Sequence, residues 1–118
     1  MSQVVEELIR TYFDAWSTHD AGQRDAVLER IFSPDAAIID PDWTAAGHEE
    51  ILAAIGQARH KLGELDLALT KVISAHHDMA LFSWELTQPG SQAAPLATGY
   101  GTVIVTDGVI SRAHNFFS

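Results

Sequence analysis

The 118-residue sequence predicts an α+β domain: three helices first, then a strongly curved, mostly antiparallel sheet that folds over them. Three observations carry this. Apolar residues recur at three- and four-residue spacings up to about Leu62, and at alternate positions beyond Gly63. Thirteen of the sixteen acidic residues precede Ala68, so the solvated charge belongs to the helical half. Asp107-Gly108, set between two alternating runs, is the two-residue turn of a hairpin.

Val5, Leu8, Ile9, Tyr12, Phe13 and Trp16 make one stripe of a first helix, with Glu6 and Glu7 in its first turn and an end near Ser17-Thr18-His19. Asp20 or a neighbour caps a second helix with apolar positions at Ala26, Val27, Leu28 and Ile31. Ser33-Pro34-Asp35 breaks that helix, and Ala36-Ala37-Ile38-Ile39-Asp40-Pro41 reads as a short buried strand. A loop through Asp42, Trp43 and Thr44 leads to a third helix from His48 to about Leu62, striped by Ile51, Leu52, Ile55 and Ala58. Gly63 is its natural stop. Leu65, Leu67 and Leu69 open a strand that reaches Ser74 or Ala75, and His76-His77-Asp78 is a turn. Met79 to Gln88 is a strand with Ala80, Phe82, Trp84 and Leu86 on one face. A loop from Pro89 through Pro95 precedes the hairpin of Leu96 to Thr106 and Val109 to Phe117. No repeat or linker divides residues 1–118, so one domain is expected. A bent sheet packed on a long helix leaves a conical space.

Composition narrows the function classes. An apolar fraction of 47% with 19% charged residues is that of a globular protein. There is no cysteine, hence no disulfide frame and no thiolate zinc site, which fits a cytoplasmic setting. Met1-Ser2-Gln3 begins no basic segment with an apolar core, so no signal peptide is expected, and no apolar run reaches the ~20 residues of a membrane span. The net charge of −9 repels phosphate backbones and anionic lipid, which argues against nucleic-acid and membrane partners.

Asp40 is the residue that bears most on function. Pro41 keeps it extended, so it shares a strand face with Ile38. A carboxylate so placed either enters a pocket or ends in water, making a turn with the residues that follow.

Laid out this way, the chain resembles the nuclear transport factor 2-like superfamily, in particular its SnoaL-like branch, over essentially its whole length. The resemblance rests on Tyr12-Phe13-Asp14-Ala15-Trp16, Phe32-Ser33-Pro34-Asp35-Ala36, Asp40-Pro41, Gly47-His48-Glu49-Glu50-Ile51 and Asp107-Gly108-Val109-Ile110. Ala75-His76-His77-Asp78 with Phe82-Ser83-Trp84-Glu85-Leu86 resembles bacterial members. The family's cone fold and small-molecule pocket are thereby implied. Ketosteroid isomerase matches in position: its general base is an aspartate before a proline at the end of the first strand, corresponding to Asp40. Its oxyanion tyrosine on the first helix corresponds to Tyr12. Its second donor, a protonated aspartate, falls at about Gly101, which has no side chain to donate. Limonene-epoxide-hydrolase-like relatives place an arginine between two aspartates, and Thr98-Gly99-Tyr100-Gly101-Thr102 carries no such set.

The resemblance thus implies Asp40 as general base and Tyr12 as oxyanion donor. For Tyr12 the other reading is a core tyrosine with its hydroxyl satisfied at the edge. Trp16, Trp43, Phe82, Trp84 and Phe117 are expected as walls of the cone, with Trp43 and Trp84 the better lining and Trp16 and Phe82 the better core. Matching the last hairpin to the isomerase turns Ala113, Asn115 and Phe117 inward, so Asn115 is a buried amide for a ligand or a backbone partner. Gly99 and Gly101 lie in a strand with no helix after it, and so serve sheet bending or close ligand approach rather than phosphate binding. Adjacent His76 and His77 could ligate a metal with His60 or His114 only from a turn; no metal site and no cofactor is assigned. On the convex face, Ile110, Arg112, His114 and Phe116 lie beside Ser83 and Glu85 if those strands pair. The family often dimerises through that face, so a homodimer, with an Arg112–Glu85 pair, is the expectation. Two functions follow: a cofactor-free isomerase, cyclase or dehydratase-like lyase acting on an apolar carbonyl compound, or a non-catalytic ligand-binding or dimerisation module.

Overall fold

Helix α1 (Ser2–Trp16) and helix α2 (Ala21–Ile31) lead into strand β1 (Phe32–Ile39) and a three-residue strand β2 (Thr44–Ala46). Helix α3 (Gly47–Leu62) follows, then strands β3 (Asp66–His76), β4 (Met79–Thr87), β5 (Ala97–Thr106) and β6 (Val109–Phe117). The computed structural model describes residues 2–118; Met1, where the N-terminal segment was read for a leader, lies outside them. The six strands form one sheet in the order β2-β1-β6-β5-β4-β3, antiparallel except for the β1–β6 pair. The expected α+β architecture is therefore present. No helix among the described residues is long and apolar enough to cross a membrane.

Local chemistry sets the element ends. The Asp20 carboxylate caps α2 by accepting from Gln23 N at 2.9 Å. Glu50 Oε1 accepts from Ala46 N at 2.9 Å and ties off the start of α3, where Glu49 and Glu50 occupy the first turn. Asp107 and Gly108 both have positive φ (54° and 83°), as the tight β5–β6 turn requires. Inside, α1 packs on β3 and β4 while α3 packs on β1, and Ile9, Phe32, Ile38, Ile55, Val103 and Ile110 are all but fully buried between them.

Several expectations are corrected. Helix α1 starts at Ser2, so Glu6 and Glu7 lie beyond its first turn. In α2 the buried positions are Arg24, Leu28 and Ile31; Ala26 is exposed. Ser33-Pro34-Asp35 ends the helix but makes no loop: β1 begins at once, with its register broken between Phe32 and Ala37, where Pro34 needs no ladder hydrogen bond. The loop expected at Thr44 is strand β2. Ile110 faces the core rather than the convex side, because Ser111 is an extra residue: Ile104 pairs with Arg112 and Val105 with Ile110. Strand β5 separates β4 from β6, so Glu85 does not meet Arg112 within the chain. Glu85 stands opposite Thr98 and Arg112 opposite Ile104, about 20 Å along the strand.

Two register breaks in β3, at Leu69/Lys71 and Val72/Ser74, bend the sheet around α1. Gly99 and Gly101 serve the aromatic floor on the concave side. A Cβ on Gly99 would lie 2.2 Å from the Trp84 ring, and one on Gly101 2.5 Å from the Phe82 ring. Each indole or phenyl therefore lies across a glycine of the neighbouring strand.

Candidate functional site

The cone is divided into two chambers. The outer one is a cavity of about 400 Å³ between α3 and the far ends of β4, β5 and β6; the inner one, of about 30 Å³, lies under α1. Asp40, Trp43, Leu67, Trp84 and Asn115 line both and form the neck between them. The outer volume suits a small organic ligand. The inner one admits a water or a single oxygen-bearing group.

Asp40 follows directly on the end of β1, with its N–H donating to Trp43 O at 2.9 Å across a tight turn. The carboxylate receives Asn115 Nδ2 at 2.7 Å on Oδ1 and Asp42 N at 3.1 Å on Oδ2. It thus makes the turn with the following residue and also lines the pocket, so both sequence readings hold at once. Asn115 reaches it from β6 because β1 and β6 are parallel neighbours with Ile39 opposite His114. The amide expected to be buried is only half-buried; it has its partner, and that partner is the candidate base.

Tyr12 lines the inner chamber with Asp40, buried edge-on against Phe32 (5.5 Å), Phe13 (5.7 Å) and Trp16 (6.4 Å). Burial pushes its hydroxyl up to about 12, the Trp16 indole N–H pulls the other way, and the negative charge of Asp40 adds to the rise. The phenol therefore keeps its proton at neutral pH. Trp16 lines the same chamber, and its buried Nε1 lies beside the Tyr12 hydroxyl, near enough to favour the phenolate but short of full hydrogen-bond geometry.

Phe82 walls the inner chamber and packs edge-on against Phe13 at 5.5 Å. Trp43 and Trp84 stand at the neck, and Trp84 Nε1 donates to Tyr100 O at 3.3 Å. Phe117 lines the outer chamber, edge-on to Trp84 at 5.8 Å, and is 56% exposed at its rim. Gly101 lines neither chamber, because the Phe82 ring covers it. His76 and His77 are exposed at a turn away from both. No group of three His, Cys, Asp or Glu side chains is placed to hold a metal among the described residues.

Helix α3 contributes what sequence reasoning missed. Ala54, Gln57, Ala58 and Lys61, at spacings of three and four, turn a second face of the helix towards the outer chamber. That spacing was visible in the sequence, but small and polar residues give no apolar stripe. Gln57 and Lys61 are the polar groups on the wall facing the Trp84 side.

With this geometry in place, a family model described as SnoaL-like domain matches residues 9–113. Among solved structures, the chain is similar to a candidate isomerase of the SnoaL-like family from Agrobacterium tumefaciens. The two share 25% identity at a TM-score of 0.89, over 100% of this chain and 99% of that one. It is also similar in fold to a candidate SnoaL-like polyketide cyclase from Jannaschia sp. CCS1, at 17% identity and TM-score 0.79, covering 99% and 86%. A candidate ketosteroid isomerase from Kribbella flavida matches at 21% identity and TM-score 0.68, covering 98% and 78%. No curated protein matches the sequence.

Proposed function

The chain belongs to the SnoaL-like domain family, and from that premise we propose that residues 1–118 form one such domain acting as a cofactor-free isomerase or cyclase on an apolar carbonyl compound. The apolar body of the ligand occupies the outer chamber against Trp43, Trp84 and Phe117, and its carbonyl oxygen passes the neck into the inner one. Asp40 takes a proton from the carbon next to the carbonyl and returns it elsewhere on the same skeleton. Tyr12 donates to the oxygen as negative charge develops there. Trp16 Nε1 supplies the second donor that Gly101 cannot, since it is buried on the wall of that chamber beside the Tyr12 hydroxyl. Asn115 and the Asp42 amide aim the carboxylate.

The observation that carries this reading is that Asp40 and Tyr12 line one small chamber, and that Asp40, Trp43, Leu67, Trp84 and Asn115 also line the adjoining ligand-sized cavity. Its test is hydrogen–deuterium exchange. Cyclic enones incubated with the protein in D2O should gain deuterium next to the carbonyl, and Asp40→Asn should slow that gain by about 10²-fold or more. Ligand binding, followed by quenching of the tryptophans, should survive the substitution.

The second reading, a ligand-binding module without turnover, draws on a different observation: both Asp40 oxygens already accept hydrogen bonds. It predicts binding without exchange in the wild-type chain. Either way we assign the homodimer to the convex sheet face. There Ile39, His114, Thr102 and Leu81 form one cross-strand row, and Phe116 with Tyr100 the next. Phe116 (53%) and Tyr100 (45%) are strongly exposed for aromatic residues.

A further inference from the structure

A second concavity lies outside the cone, along the groove between α2 and α3. Two depressions, of about 520 and 440 Å³, meet over Arg24, Gly56 and His60. Two arginines with little access to solvent lie beneath it: Arg24 is 6% exposed and Arg59 4%. Buried guanidinium groups are normally matched by carboxylates. Here every hydrogen bond they make among the described residues goes to a neutral carbonyl. Arg59 Nη1 donates to Trp16 O at 2.8 Å and Nη2 to Gly63 O at 2.8 Å and to Leu65 O, while Arg24 Nη1 donates to Thr18 O at 3.0 Å. The Nε of each is buried and unpaired.

Arg59 is therefore spent on the carbonyls that end α1 and α3. Arg24 is not. Its Nη2 lies over Gly56, where a Cβ would stand 3.7 Å away, an ordinary contact. Gly56 is in the middle of a helix, where glycine is less favourable than alanine, and no steric conflict there demands it. What the missing side chain does is leave the guanidinium uncovered at the floor of the groove. His19, His60 and Lys61 stand around it, against Asp25 and Glu64. In a chain of net charge −9 this is a local excess of cation donors. Nη2 with His60 and Lys61 offers several N–H groups to one compact oxyanion.

We propose that the α2–α3 groove is a second ligand site, separate from the cone, in which Arg24 Nη2 receives a phosphate-type oxyanion over Gly56. The anion supplies a negative partner for the Arg24 guanidinium, whereas Arg59 already has the negative charge of Asp66 nearby. Its source is either free phosphate or a phosphomonoester of a small molecule.

The test follows backbone amide shifts of the whole chain during titration with inorganic phosphate, and separately with phenyl phosphate, at constant ionic strength set by chloride. Saturating shifts should centre on Gly56 and His60. Gly56→Leu, which fills the groove, should weaken binding by about tenfold, the worth of one charge-assisted hydrogen bond. Gly56→Ala should weaken it less while raising the Tm of the unliganded protein, so a loss of binding there is not a loss of fold. Tighter binding of phenyl phosphate identifies a phosphorylated small molecule, and equal binding the free anion. Shifts no different from those with chloride, shifts centred on Asn115, or unchanged affinity in both Gly56 variants would each overturn the proposal. The arginines would then serve only to hold the helix ends.

Discussion

Asp40 and Asn115 are 75 residues apart in sequence and 2.7 Å apart in space, joined by a hydrogen bond from the Asn115 amide to the Asp40 carboxylate. The pair explains why an aspartate at the end of a strand faces a pocket instead of bulk water. Tyr12 offers the cleanest measurement at this scale. Between pH 10 and about 12 an unfolded chain releases the Tyr12 proton while the folded chain keeps it, so stability falls as pH rises through that window. Below pH 10 both states are protonated and the contribution is constant. The loss amounts to about 3 kcal/mol. Urea melts across the window should show Tyr12→Phe losing that much less stability than the wild type. The same substitution should slow the deuterium gain of the enones by about 10²–10³-fold, since it removes a donor to the oxyanion. Trp16→Phe, which removes the indole N–H together with part of the ring, should slow it less than Tyr12→Phe does and leave the fall in stability between pH 10 and about 12 in place.

At the level of elements, the aromatic floor depends on two positions without side chains. Gly99→Ala sets a methyl 2.2 Å from both the Phe116 carbonyl oxygen and the Trp84 ring, so backbone as well as side chain must move. Gly101→Ala meets the Phe82 ring at 2.5 Å and the His114 carbonyl oxygen only at 3.2 Å, so a ring shift relieves it. Overpacking of this kind costs about 1–3 kcal/mol, and chemical denaturation should place Gly99→Ala at or above the top of that range and Gly101→Ala near the bottom. These glycines also show how far the sequence could be read. Strand and helix types were legible because burial imprints a period of two or of three to four, and Ala80, Phe82 and Trp84 face inward as their alternation required. Ile110 was not legible, because a single extra residue at Ser111 reverses the alternation without any marker in composition. Nor were Arg24 and Arg59: their burial depends on carbonyls at the ends of other elements, which no local pattern announces. In the site, Asp40, Tyr12 and the aromatic walls could be named from spacing and resemblance. Most of the contribution of α3 could not, because Ala54, Gln57 and Lys61 extend no apolar stripe, and Ala58 on the stripe read only as core.

For the whole molecule, the two faces of the sheet differ: the concave one lines the cavities and the convex one carries exposed apolar side chains. Helices cover only the concave side, leaving Tyr100, Phe116, Leu81 and Ile39 in adjoining rows of the convex side. A contiguous apolar surface of this kind on a strongly acidic chain is the one place where a second copy can approach without charge repulsion. Light scattering should report a dimer for the wild type and a monomer for Tyr100→Glu. Arg112→Glu, at the margin of the rows, should shift the equilibrium less, and an unchanged mass in both would remove the convex face as the interface.

Strand β6 follows the other five in the sequence, yet it lies between β1 and β5 in the sheet. While a ribosome is still adding residues 109–117, the earlier strands are two separate fragments with an empty lane between them. One fragment ends in an unclaimed carboxylate and the other in an open sheet edge. Closure therefore waits on residues 109–117, and pairings of such long sequence separation form slowly. A nascent chain would have no working pocket until then, and its exposed edges would be most in need of chaperone protection during that interval.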